Sequence, residues 1–212
     1  MLDTFWPAGN ETLLAFIDEL CSTLQGPGCW ISGAKGTGKS HLLQAICERV
    51  GADAAFLPMA DLQATGPGVL DGMAARRVLC LDDVERAAGR PDWERALFRL
   101  YNDTLAQGHV MVVSSVGPPR DCAFRLADLE SRFTQLPAFR LSPLGDHDLK
   151  QALKLRARHR GLELPDEAAR YLLTRQRRDM AYLYALLDRL DAEALAAQRR
   201  LTVPFVKSII DA

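Results

Sequence analysis

The chain has 212 residues, 48% of them hydrophobic, and a formal net charge of −1. That length holds one domain, or a domain with a small appendage, around a substantial core. Near-neutral charge excludes a protein drawn to nucleic acid by a global basic field. From Leu144 onward 13 Lys and Arg face 10 Asp and Glu, a surplus that fits a solvated helix surface or a partner-binding face.

Five scattered cysteines without a C-x-x-C, and four histidines without metal-ligand spacing, argue for reduced thiols and a cytoplasmic address. No apolar run nears the roughly 20 residues of a membrane span. "MLDTFWPAGNE" lacks the positive and apolar regions of a signal peptide.

In chain order, "CWISG" reads as a strand ending at Gly33, "AAFLPM" as one ending at Met59, and "RVLCLDD" as one ending at Asp83. "HVMVVSS" ends at Ser115, and "AFRLSPL" follows Pro137. Near-continuous apolarity fits strands buried on both faces, as in a parallel sheet. Amphipathic helices separate them. The clearest follows Pro91, with Trp93, Leu97, Leu100, Tyr101, Thr104 and Leu105 on one stripe and Gly108 at its end. After "LSPLGDHD" only helical patterns follow, the last opening near Val203 and Pro204. Asp146 and Asp166 are expected as N-terminal caps and Gly161 as a C-terminal stop. The fold expected is α/β, a five-stranded parallel sheet sandwiched by helices and followed by a small helical lid. The base takes residues 1–143 and the lid 144–212.

"GAKGTGKS", Gly33 to Ser40, stands between a strand and a helix. Gly33, Gly36 and Gly38 permit the positive φ angles that turn successive backbone N–H groups toward one anion. Lys39 reaches β- and γ-phosphates, the Ser40 hydroxyl can hold Mg²⁺, and the helix after it aims its positive end at the same charge. Gly33, Ala34, Lys35, Gly36, Thr37, Gly38, Lys39, Ser40 and His41 therefore form the expected cradle for ATP or ADP. "VLCLDD" supports this, because a buried strand ending in two carboxylates is costly unless they face a cation. Asp82 is expected on the Mg²⁺ side, with Asp83 placed to polarise a water. "RLADLESRF", Arg125 to Phe133, reads as a helix before the fifth strand. Its Arg132 is either a surface ion-pair partner or a cation offered to another subunit.

The ordered set "GTGKSHLLQAI", "VLCLDDVE", "LFRLYND", "VVSSVGPPR", "LADLESRF", "LKLRARHRGLELPDE" and "LTVPFVK" resembles the DnaA family of AAA+ ATPases. Within it, "LRARHRGLELP" and "AQRRLTVPFVK" are similar to the Hda branch of regulatory inactivators. The resemblance implies a nucleotide-bound regulator that docks on the DNA-loaded sliding clamp and stimulates hydrolysis of ATP held by DnaA. It implies that Arg132 is an arginine finger acting in trans, and that Phe5, Trp6 and Asn10 lie near the adenine base; a simple N-terminal hydrophobic anchor accounts for Phe5 and Trp6 equally well. Self-association at nucleotide-bearing junctions is compatible with the pattern, and direct DNA contact stays open. A self-sufficient AAA+ ATPase, such as a helicase loader, is the alternative.

Three departures from the family pattern shape the expectation. The lid helix reads Met180-Ala181-Tyr182-Leu183 where the family carries a phosphate-sensing arginine, leaving Arg178 as a nearby substitute or a surface residue. The fourth strand ends Ser114-Ser115-Val116-Gly117-Pro118-Pro119, so Ser114 can orient a water or touch a phosphate but Val116 offers no acid. Slow intrinsic turnover and retained ADP are expected. A clamp-docking peptide, whose usual place precedes "FWPAGN", is missing. "TQLPAF" (134–139) looks similar but falls between a helix and a strand, so weak clamp binding is expected.

Overall fold

Strands that are apolar at every position need cover on both faces, and the chain supplies it with helices between them. The computed structural model describes residues 2, 5–176 and 180–210. Its elements run α1 (Glu11–Thr23), β1 (Gly28–Ser32), α2 (Lys39–Val50), β2 (Ala54–Pro58), α3 (Met59–Leu62), β3 (Val78–Asp82), α4 (Pro91–Ala106), β4 (Val110–Ser115), α5 (Ala127–Thr134) and β5 (Ala138–Arg140). Four helices complete it: α6 (Asp146–His159), α7 (Asp166–Arg175), α8 (Met180–Ala197) and α9 (Val203–Ile210).

The strands form one parallel sheet in the order β2-β3-β4-β1-β5. Because successive residues of a strand point to opposite faces, the two cores can be read separately. Trp30, Leu79, Leu81, Met111 and Val113 join Trp93, Leu97, Leu100 and Tyr101 of α4 and Leu129 and Phe133 of α5. Their strand neighbours Cys29, Ile31, Cys80 and Val112 are equally buried, and α2 packs on β2, β3 and β4. The fold is the expected α/β arrangement, a five-stranded parallel sheet between helices, followed in sequence by helices alone. Pro58 sits in edge strand β2, where its missing N–H costs least.

Strand β1 begins where another residue would not fit. Gly28 has φ +94°, and a Cβ there would lie 1.8 Å from the Met111 carbonyl oxygen. All five cysteines are free thiols. Burial pushes the Cys29 thiol up to about 12. Among the described residues no helix is long and apolar enough to cross a membrane.

The described chain divides into two compact units. One takes Gly9–Lys35 and Lys39–Ser142; the other takes residues 5–8, Gly36–Gly38 and 143–210. The second unit has its own core, including Leu149, Leu153, Leu172, Leu187, Leu190 and Val206. Trp6 packs against that core and its Nε1–H donates to Asp148 Oδ1 at 3.0 Å. The Arg156 guanidinium lies 5.1 Å from the centre of the Tyr184 ring. Burial raises the Tyr184 phenol to about 12, against the opposing pull of Arg156.

Two expected caps are corrected. Asp146 and Asp166 are the first helical residues of α6 and α7, while Gly145 and Pro165 hold the cap positions without side-chain bonds. A carboxylate in the first turn still meets the positive helix end, so the same residue type suits both positions. Asp166 is drawn instead to Lys150 and Lys154 of α6. Gly161, at φ +76°, ends α6 as expected.

Candidate functional site

Parallel strands deliver their carboxyl ends to one edge of the sheet, where the loops that follow them converge. Three loops matter here, after β1, β3 and β4. β4 lies between β1 and β3 in the sheet.

The loop after β1 is the glycine-rich stretch. Gly36 and Gly38 take φ of +82° and +100°, the left-handed conformations that turn amides inward in an anion nest. A Cβ at Gly38 would meet the Phe5 ring at 3.4 Å. Lys39 opens α2 and is 6% exposed. Its Nζ donates to the carbonyls of Gly33 at 2.8 Å and Ala34 at 3.3 Å. Ser40 and His41 occupy the first turn of α2, Ser40 exposed and His41 half-buried; Ala34 and Lys35 are exposed, and Thr37 is buried.

Asp82 ends β3 and is 6% exposed. The buried Ser114 hydroxyl of β4 donates to Asp82 Oδ1, and its oxygen accepts from the Asp83 amide at 3.0 Å. The Ser114 proton is thereby directed at Asp82. Asp83 leaves the strand at φ +53° and faces Arg86 across a 3.6 Å ion pair. Both groups are partly exposed, so that pair contributes little to stability. Val116, beyond the end of β4, is 56% exposed.

Arg132 stands on the exposed side of α5, between the buried Leu129 and Phe133. The Phe133 ring sits 5.3, 6.0 and 5.7 Å from those of Trp30, Tyr101 and Phe124. Among the described residues the Arg132 guanidinium makes no hydrogen bond or ion pair; burial raises the Tyr101 phenol, and the Arg132 charge opposes that rise. The "TQLPAF" segment is committed to the fold. Pro137 O accepts from the Trp30 amide at 2.8 Å, Leu136 is buried, and β5 starts at Ala138.

Asn10 is buried and tied to the chain leaving β5. Its Oδ1 accepts from the Ser142 amide at 2.8 Å, and its Nδ2 reaches the Ser142 carbonyl at 3.5 Å. Arg178 lies outside the described residues.

Sequence reasoning passed over two glutamates. Glu85, in the turn after Asp83, has a buried Oε2 without a hydrogen-bond partner among the described residues. Burial raises its carboxyl, the Asp83 charge adds to that, and Lys39 opposes it. Glu94 of α4 is 1% exposed, and its carboxylate accepts from three backbone amides. A charged residue beside Trp93 on the buried stripe was the signal for it.

Residues 146–210 match the family model described as "Hda, lid domain". Residues 29–115 match a family model described as "RNA helicase". Domain III of the replication initiation protein DnaA from Thermotoga maritima is similar over 100% of this chain and 95% of its own, at 19% identity and a TM-score of 0.78. AMPPCP-bound DnaA from Aquifex aeolicus matches 89% of this chain at 22% identity and a TM-score of 0.68. This chain spans 63% of that structure's length. The RuvB Holliday junction branch migration motor of Thermotoga maritima matches 96% of this chain and 69% of its own, at 18% identity and a TM-score of 0.65. The chain thus has the AAA+ fold of DnaA domain III, with helices over 146–210 that match the Hda lid model.

Proposed function

We propose that the chain holds ADP or ATP with Mg²⁺ on its glycine-rich loop and, in that state, promotes hydrolysis of ATP held by DnaA. The outcome is negative regulation of replication initiation. The observation that carries this reading is the union, in one chain, of the Lys39 and Asp82 arrangement with an Hda lid.

The donor set fits the nucleotide. An ammonium has three N–H donors, and the Gly33 and Ala34 carbonyls take two of them, leaving one for a phosphate oxygen. Mg²⁺ prefers hard oxygen ligands and is held by one or two protein groups plus phosphates and water. Ser40 and Asp82 supply such oxygens, and Ser114 holds the Asp82 carboxylate in place. When bound, the metal neutralises phosphate charge. The AMPPCP-bound Aquifex relative supports an adenine nucleotide as the ligand class.

Arg132 is assigned to the second active site, that of DnaA. An exposed guanidinium on an anchored helix, without a hydrogen bond or ion pair among the described residues, can neutralise charge that develops on a neighbour's γ-phosphate. Fingers supplied in trans accelerate hydrolysis by about 10³ to 10⁵. Asp83 and Glu85 frame the chain's own site, and the exposed apolar Val116 contributes no acid, in keeping with slow intrinsic turnover. For a full-length form that carries the clamp-docking peptide the DNA-loaded sliding clamp is the proposed platform; the cytoplasm is the proposed location, and homo-oligomers are compatible with the fold.

Hydrolysis of ATP on DnaA, measured with clamp-loaded DNA and the ADP-loaded chain, tests this. The rate is expected to rise with the wild type and to stay basal with Arg132→Ala. Equal stimulation by both proteins overturns the assignment. Rapid multiple turnover by the chain alone favours a self-sufficient ATPase instead.

A further inference from the structure

A buried carboxylate is costly unless its oxygens are satisfied, so a fully enclosed glutamate on an apolar helix stripe marks a bond the fold requires. Glu94 is such a group. Its Oε1 accepts from the Gly89 amide at 2.7 Å, and its Oε2 from the amides of Arg125 at 2.9 Å and Leu126 at 2.7 Å.

These three amides belong to two loops. Gly89 closes the turn that begins at the acid pair, Asp82 and Asp83, while Arg125 and Leu126 lead into α5. Helix α5 has eight residues and no side-chain cap of its own at Leu126. A helix that short is marginal alone and takes its orientation from tertiary anchors. The Phe133 ring cluster anchors its far end. Glu94 anchors its start, where an anion is favoured by the unpaired N–H groups and the helix dipole. Arg132 lies between these anchors, six residues or about 9 Å along the axis from Leu126.

We infer that Glu94 is the positioning residue for Arg132: its carboxylate clamps the start of the finger helix to the loop that leaves the chain's own acid pair. Loss of the clamp frees one end of α5 while the phosphate cradle keeps every group that forms it. Displacement of a reacting group by about 1 Å can cost on the order of a hundredfold in rate. The inference rests on the trans-acting role proposed for Arg132.

The experiment compares wild type, Arg132→Ala, Glu94→Gln and Glu94→Asp. Stimulation of ATP hydrolysis by DnaA is measured against concentration of the chain, and binding of a fluorescent ADP analogue is measured for each protein. Glu94→Gln presents an NH₂ donor to backbone donors and cannot serve all three amides. It is expected to bind the ADP analogue as wild type does and to reach half-maximal stimulation at the wild-type concentration. Its maximal rate falls on the order of a hundredfold, toward that of Arg132→Ala. Glu94→Asp, which keeps the charge, recovers part of the loss. Hydrogen exchange in Glu94→Gln speeds up across residues 123–130 and is unchanged in α6 and α7.

Wild-type stimulation by Glu94→Gln overturns the inference, and so does a loss of ADP affinity in step with the rate. If Glu94→Gln does not fold, Glu94→Asp decides: a lowered maximal rate at unchanged ADP affinity supports the clamp, and wild-type stimulation removes it. An inert Arg132→Ala beside a fully active Glu94→Gln defeats the clamp alone. A fully active Arg132→Ala defeats the trans-acting role, and the clamp with it.

Discussion

The Ser114 hydroxyl donates to Asp82 from the strand that separates the phosphate loop from the acid strand. One side chain thereby orients the carboxylate assigned to Mg²⁺ and also takes the Asp83 amide at 3.0 Å. Ser114→Ala removes both bonds inside a buried region, a loss of about 1–3 kcal/mol of stability. Nucleotide affinity is expected to weaken with Mg²⁺ present and to stay near wild type in EDTA. Equal weakening in both conditions shows that Ser114 supports the loop rather than the metal-side acid.

Lys39 gives the second prediction. A ligand that binds only the folded protein at 100 times its Kd stabilises it by about 2.7 kcal/mol. For a chain of this size that is a rise in Tm of about 5–11 °C. ADP is expected to produce such a rise in wild type and none in Lys39→Met, which keeps the stem but loses the ammonium. An undiminished shift in Lys39→Met excludes a phosphate contact from this residue.

Much of the fold was legible because β1, β3 and β4 are almost continuously apolar and a helix such as α4 carries one buried stripe. The cradle was legible because residues adjacent in sequence build it. Contacts between distant segments were not. The Ser114 bond to Asp82 exists only because β4 enters the sheet beside β3, an order that no local pattern encodes. Glu94 satisfies amides about thirty residues away in sequence, and only its charge on an apolar stripe hinted at that. The offset at Asp146 and Asp166 has a different cause: carboxylates suit both the cap and the first turn, so composition locates the helix start only to within a residue or two.

Gly28 supplies a test of the sheet itself. Gly28→Ala places a methyl group where the Met111 carbonyl oxygen already stands, in a backbone conformation that disfavours any side chain. Strand β1 must move away from β4, at a cost on the order of 3 kcal/mol. A fall in Tm on the order of 6–12 °C is expected. A variant that melts with wild type contradicts the close approach of the two strands.

The lid offers a test by pH. Hydrogen bonds from Lys154 and Lys150 hold the Asp166 carboxyl down at about 2, below its ordinary value of about 3.9. A carboxylate with a depressed folded pKa contributes stability above its unfolded pKa and loses that contribution as pH falls toward the folded value. The Asp166→Asn variant is therefore expected to be less stable than wild type at neutral pH. The gap should close between about pH 4 and pH 2. It should also be small and shrink with added salt, because the group is exposed and screened by solvent. Thermal melts of both proteins across that pH range at low and high NaCl decide the matter, and a gap that is independent of pH rules out the ion pair as its source.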